Sequence, residues 1–230
     1  WMENSVNPIK LSGIRALIAS KMQASLKNTA QLTYHCSADV SSLLEARKAW
    51  RDAGEDKVGY EDLLMHQLVG VLREMPEFNS RIDGKLAQPG DQIDISVAIS
   101  SKRGLVAPTV FNVQDKTVPE IAADRKDLIE RSQIDKLTVP EMTGGTFTIS
   151  NLGITVVEHF TPILNYPQIA ILGLGAIQRI PWSVDGEKIE IRPIMGLSLT
   201  VDHQFIDGAE SGQCLGLIKQ AFEAGYPIPA

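Results

Sequence analysis

Residues 168–177, QIAILGLGAI, and residues 189–201, IEIRPIMGLSLTV, are two long apolar, β-branched runs, and the second leads directly into DHQFIDGAES at 202–211. Both read as strands, and a third strong extended run, GGTFTISNLG at 144–153, lies upstream. Working outward, QIDISVAIS at 92–100 alternates Ile93, Ile95, Val97 and Ile99 with polar or small residues, the period of one half-buried strand. GLVAPTVFNV (104–113) is another extended piece, and QLTYHCSADV (31–40) is a looser strand. Helices alternate with these strands. Ser12 caps a helix reaching Asn28, with Ile14, Leu17, Ile18 and Met22 at helical spacing. Ser42 and Glu45 form a capping-box pattern that opens a helix ending near Gly54. A helix over 61–75, stopped by Pro76, is apolar on most faces and is expected to be buried. Two more helices are predicted over 119–132 and 209–224. Strands and helices are interspersed without strict βαβ order, linker or repeat, so the expectation is one α/β domain with a mixed sheet.

The 230 residues are 43% hydrophobic and 22% charged, which excludes collagen-like, low-complexity and wholly disordered chains. Lys plus Arg number 22 against 28 Asp plus Glu, a formal charge of −6, and no basic block is present. Such a chain is a poor partner for nucleic acid or an anionic membrane. No apolar run approaches the ~18 residues that span a bilayer, and WMENSVNPIK has no signal-peptide core. A soluble, cytoplasmic protein is expected, or a matrix protein if the source has mitochondria. Cys36 and Cys214 cannot make a disulfide framework, and no His/Cys cluster has zinc spacing, so no metal is expected. The Trp ahead of Met2 reads as a cloning remnant, leaving 1–8 as an N-terminal arm and 9–230 as the domain.

Among four histidines, His203 stands apart. It follows a long apolar strand and precedes a helix, the kind of junction where α/β folds gather their active sites. With an ordinary pKa near ~6.5, a histidine there can act as a base at neutral pH. Asp202, Asp207 and Gly208 frame it, Gly208 permitting a tight turn, although Asp207 could equally be only a helix cap. His35, His66 and His159 read as structural. In GGTFTISNLG, Thr146, Thr148 and Ser150 share one strand face, and a hydroxyl at a sheet mouth can donate to an oxyanion. Equally, Ser and Thr are common in edge strands. Gly173 and Gly175 are not a phosphate loop: Gln178 replaces the third glycine and Pro181 prevents a following helix, so close backbone packing is the expectation.

In their order, GGTFTISNLG, FTPILNYPQIAILGLG and LSLTVDHQFIDGA resemble the catalytic domain of the dihydrolipoamide acyltransferases, the cores of the 2-oxo acid dehydrogenase complexes. LSGIRALIASKM, MPEFNSRIDG and ISVAISSKRGLVAPTV extend the likeness over most of the chain. The H-x-x-x-D-G signature alone is shared with chloramphenicol acetyltransferase. The resemblance implies a two-layer α/β sandwich of the chloramphenicol acetyltransferase type, forming a homotrimer with active sites between subunits. It implies His203 as general base, Ser150 as oxyanion donor from the adjacent subunit, and Asp207 holding the active-site loop through an ion pair with Arg15. Coenzyme A and dihydrolipoamide are then substrates, and lipoyl domains and dehydrogenase components are partners.

Three departures from the family pattern stand out. Gln204 occupies the usual arginine position, NTAQLTYH lacks a Pro-His-Phe segment, and KQAFEAGYPIPA lacks the acidic, leucine-rich tail that joins trimers into cubic or icosahedral cores. The tail predicts assembly that stops at the trimer. Two other functions compete: transfer from CoA to a non-lipoyl acceptor, and a catalytically silent scaffold, against which the intact His203, Ser150 and Asp207 argue. The acyl group itself is not legible.

Overall fold

The computed structural model describes residues 10–55, 57–101, 104–184 and 186–229; the expected N-terminal arm lies outside them. In chain order the elements are α1 (Gly13–Asn28), β1 (Gln31–Asp39), α2 (Ser41–Asp52), α3 (Tyr60–Glu74), β2 (Ser80–Asp83), β3 (Leu86–Pro89), β4 (Ile95–Val97) and β5 (Ile99–Ser101). Then follow β6 (Gly104–Val106), β7 (Thr109–Val110), α4 (Val118–Ser132), α5 (Val139–Thr143), β8 (Phe147–Asn151), β9 (Ala170–Val184), β10 (Lys188–Asp202) and α6 (Gly208–Glu223). Six strands form one sheet in the order β1-β10-β9-β8-β4-β7. β8 runs parallel to both β4 and β9, and the other pairings are antiparallel, so the sheet is mixed as expected.

The register sorts the sheet into two chemically different faces. Tyr34, Leu199, Leu172, Ile149 and Val97 lie in one cross-strand row, facing the core shared with α3, α4 and α6. α3 contributes most to that core, burying Leu63, Leu64, Met65, Leu68, Val71 and Leu72. Each such side chain contributes about 1.5–3 kcal/mol of transfer free energy, which explains why this helix is apolar nearly all round. One step along each strand, the row reads Thr33, Thr200, Ile171, Thr148, Ser96 and Thr109. These hydroxyls, all buried except half-buried Thr33, are paired: Thr33 with Thr200 at 2.8 Å, Ser96 with Thr109 at 3.0 Å, and Thr148 with Gln168. Unpaired, each would carry a desolvation cost of about 1–3 kcal/mol.

Four local expectations change. β8 is internal, so its Ser and Thr residues are not an edge-strand habit; they belong to the hydrogen-bonded polar face. QIDISVAIS divides at Ala98, where Ile99 leaves the main sheet to pair with Val106 in a separate β5–β6 ribbon. α2 starts at Ser41, because Asp39 Oδ1 accepts from the Ser41 amide and hydroxyl, while Ser42 Oγ donates to the Glu223 carbonyl. α1 forms where periodicity places it, but Leu17 stays 71% exposed while Ile18 and Met22 are half-buried. Among the described residues no helix is long and apolar enough to cross a membrane.

Candidate functional site

β10 ends at Asp202, and the loop 203–207 turns the chain into α6. Asp202 is fully buried and organises this loop. Its Oδ1 accepts from the Ala30 amide at 2.9 Å and the Gln204 amide at 3.1 Å, and both carboxylate oxygens accept from Gln204 Nε2 at 3.1 Å. Gln204 Nε2 also donates to the Asn28 carbonyl at 2.8 Å, and the His203 amide donates to the Ala30 carbonyl at 2.8 Å. The loop is therefore tied to the α1–β1 connection, and buried Ile206 anchors its far end. His203 itself projects outward, 41% exposed, and its Nδ1 stands 3.8 Å from Asp207 Oδ1. That distance suits attraction of an imidazolium and is too long for a hydrogen bond.

Asp207 is the N-cap residue of α6, and its amide donates to Glu210 Oε2 at 3.1 Å. Asp207 thus occupies the N-cap position without a side-chain cap hydrogen bond, and its carboxylate faces His203. It does not pair Asp207 with Arg15. Arg15 lies exposed on α1, thirteen residues before Asn28, the end of α1 that meets the loop. At about 1.5 Å per residue that is roughly 20 Å along the helix axis. Gly208 has no left-handed backbone; a Cβ there would sit 3.1 Å from the Tyr34 hydroxyl, so close approach rather than turn geometry accounts for the glycine.

Ser150 lies on the polar face of β8, in a row with Gly173, Ser198 and His35. His35 Nδ1 is 2.9 Å from Ser198 Oγ, and the Phe160 ring fills the space over Gly173, where a Cβ would come within 2.8 Å. Gly175 and Gly196 are tighter: a Cβ on either would fall 1.8 or 1.9 Å from the Glu158 carbonyl oxygen. These glycines do serve backbone packing, and what they admit is the 152–158 segment that leaves the Ser150 turn. Ile154 and Val156 on that segment are 93% and 90% exposed.

His203 and Ser150 do not meet within one chain. β8 runs parallel to β9 and β9 antiparallel to β10, so His203 leaves the sheet at the end where β8 begins, while Ser150 stands near the end where β8 finishes. From Ser198, level with Ser150, five residues lead to His203, about 17 Å at ~3.4 Å each, and two strand spacings add about 10 Å sideways. The separation is roughly 20 Å. Burial pushes the Cys36 thiol up to about 11 and raises Cys214 further, so neither is a ready thiolate at neutral pH. Among the described residues no group of three or more His, Cys, Asp or Glu is arranged to hold a metal ion. A cavity of about 430 Å³ opens beside the loop, with Lys85, Tyr166, Gln204 and Phe205 in its wall.

A family model described as 2-oxoacid dehydrogenases acyltransferase (catalytic domain) matches residues 3–226. The chain belongs to this family. The acyltransferase domain is 36% identical over 219 residues, 94% of the chain, to the mitochondrial succinyltransferase component of the 2-oxoglutarate dehydrogenase complex of Saccharomyces cerevisiae. It is 35% identical over 219 residues, again 94% of the chain, to the corresponding Escherichia coli component. The chain spans about half the length of these relatives, 47% and 54%. Its fold matches the dihydrolipoamide acetyltransferase of Azotobacter vinelandii with a TM-score of 0.90 and 29% identity, covering 96% of this chain and 93% of that one. Chloramphenicol acetyltransferase shares the fold at a TM-score of 0.54 and 17% identity, covering 94% of this chain and 97% of the other.

Sequence reasoning singled out His203, Ser150 and Asp207 but treated Asp202 only as a neighbour and Gln204 only as a departure. Their shared brace is a contact with Ala30 and Asn28, more than 170 positions away in sequence, which no local pattern announces.

Proposed function

We propose that this domain transfers an acyl group between the thiols of coenzyme A and dihydrolipoamide, in a trimer whose active site pairs His203 of one subunit with Ser150 of the next. The observation that carries the shared site is the strand register, which leaves the two groups roughly 20 Å apart in a single chain. Exposed Ile154 and Val156, on the segment that follows Ser150, supply apolar surface for a neighbouring subunit to cover. A study of the Azotobacter vinelandii enzyme names a serine, a histidine and an asparagine in its catalytic mechanism, the latter two four positions apart. His203 and Asp207 have the same spacing, and Ser150 precedes His203 by 53 residues against 52 there.

The chemistry follows from thiol acidity. A free thiol with pKa near ~8.5 is mostly protonated at neutral pH, whereas the thiolate is the nucleophile. His203 accepts the proton of the incoming thiol as its sulfur attacks the thioester carbonyl. The carbonyl oxygen becomes an oxyanion, to which the Ser150 hydroxyl donates. Collapse of the tetrahedral species expels the other thiolate, which recovers the proton from the imidazolium. Asp207 Oδ1 stands 3.8 Å from the His203 ring. No covalent acyl-enzyme is needed. The curated relatives make succinyl-CoA the first donor to examine, with acetyl-CoA as comparison. The test is transfer from each acyl-CoA to dihydrolipoamide: the reading requires turnover that His203→Ala lowers about 10²–10⁴-fold, and turnover surviving that substitution would overturn it.

A further inference from the structure

The turn that begins at Ser150 is held from outside the sheet by a chain of polar contacts. Asn151 Oδ1 accepts from the Gly153 amide at 2.7 Å, which closes the turn. Asn151 Nδ2 donates to Glu61 Oε1 at 3.0 Å. Glu61 Oε2 in turn pairs with Arg125 Nη1 at 3.1 Å. Arg125 is fixed by fully buried Asp62, whose two oxygens accept from its Nε at 2.5 Å and Nη2 at 2.8 Å. Asp62 Oδ2 also accepts from the Gly59 amide at 2.7 Å, locking the start of α3. Glu61 and Arg125 are both less than one-fifth exposed. An ion pair so little solvated needs partners for each of its atoms. Here the carboxylate oxygen that Arg125 leaves free is the one that takes Asn151.

We propose that Glu61 is a positioning residue for Ser150, acting through Asn151 to fix the aim of the hydroxyl at the oxyanion. The geometry gives the reason. An amide side chain bound at one end to the turn and at the other to a rigid ion pair cannot rotate, and Ser150 is its neighbour on the strand. Removing the carboxylate frees Asn151 and, with it, the Gly153 amide. The inference rests on the reading of Ser150 as oxyanion donor, and the experiment separates the two.

The experiment is a double-mutant cycle in the intact assembly, following kcat and KM for acyl transfer to dihydrolipoamide. Glu61→Ala is expected to lower kcat by about 10- to 100-fold, the scale of losing alignment at a reacting centre, with KM changed less than about twofold. Glu61→Gln, which keeps one oxygen for Asn151 but turns its NH₂ toward Arg125 Nη1, is expected to recover part of that loss. In a Ser150→Ala background the same Glu61→Ala change is expected to cost less than about twofold, because there is no hydroxyl left to aim. Equal losses in the two backgrounds, or unchanged kcat in Glu61→Ala, would overturn the inference. Unchanged kcat in Ser150→Ala alone would instead overturn the reading of Ser150. If Glu61→Ala does not stay folded by thermal melting, Asn151→Ala, which leaves Arg125 paired with Glu61 and Asp62, runs the same cycle with the same outcomes.

Discussion

Asp202→Ala should cripple the His203 loop without touching a reacting atom. The carboxylate is fully buried and accepts from the Ala30 amide, the Gln204 amide and Gln204 Nε2. Gln204 is exposed and can turn to water, but the Ala30 and Gln204 amides lose a charged acceptor at once. A hydrogen bond to a charged group is worth about 1.5–3 kcal/mol net, so two of them set a loss of roughly 3–6 kcal/mol. For a domain of this size each kcal/mol moves the melting midpoint about 2–4 °C, giving a fall of roughly 6–24 °C. Asp202→Asn refines the test. Its amide oxygen can still accept from both backbone amides, while its NH₂ opposes Gln204 Nε2, so a smaller fall is expected. Thermal melts followed by circular dichroism measure stability, and kcat at a temperature below all midpoints measures loop placement. An Asp202→Ala protein that melts within about 2 °C of the parent and keeps its kcat would refute the brace.

Gly175→Ala should destabilise the protein by about 1–3 kcal/mol, because its Cβ would meet the Glu158 carbonyl oxygen at 1.8 Å and backbone must shift to admit it; a melt unchanged by the substitution would contradict this. Arg131 and Thr138 hold the Glu141 carboxyl down at about 2, below its ordinary 4.5. A depressed carboxylate contributes stability that is present above the unfolded value and lost as pH falls through the folded one. The melting difference between parent and Arg131→Ala should accordingly be full at neutral pH and shrink as pH drops from about 4.5 toward 2. A difference independent of pH over that range would show that the pair does not act through ionisation.

Much of this was legible because the decisive signals are local. The long runs at 168–177 and 189–201 can only be strands, Pro76 stops α3 where the apolar pattern ends, and His203 falls between a strand and a helix whatever the tertiary context. What escaped reading depends on pairing at a distance. Ala98 looks like any position in an alternating strand until β6 draws Ile99 out of the sheet. Ser42 and Glu45 fit a capping box, but Asp39, one turn earlier, takes the start of α2 for Ser41. The Thr148 hydroxyl of β8 resembles an exposed edge because sequence cannot reveal that Gln168 and Asn165 will pair with it inside the fold. An Arg15–Asp207 pair does not form within one chain for a similar reason: α1 meets the loop through its last residue and not its first turn.

The most direct measurement of the central claim uses two inactive proteins. His203→Ala and Ser150→Ala variants are prepared separately, mixed, and given time to exchange subunits before acyl transfer to dihydrolipoamide is assayed. If each site joins His203 of one subunit to Ser150 of the next, some hybrid trimers hold an interface with both groups intact. Activity should then rise well above that of either parent, by about 10-fold or more given the loss each substitution causes. Exchange confirmed by mass spectrometry with no gain in activity would contradict the shared site.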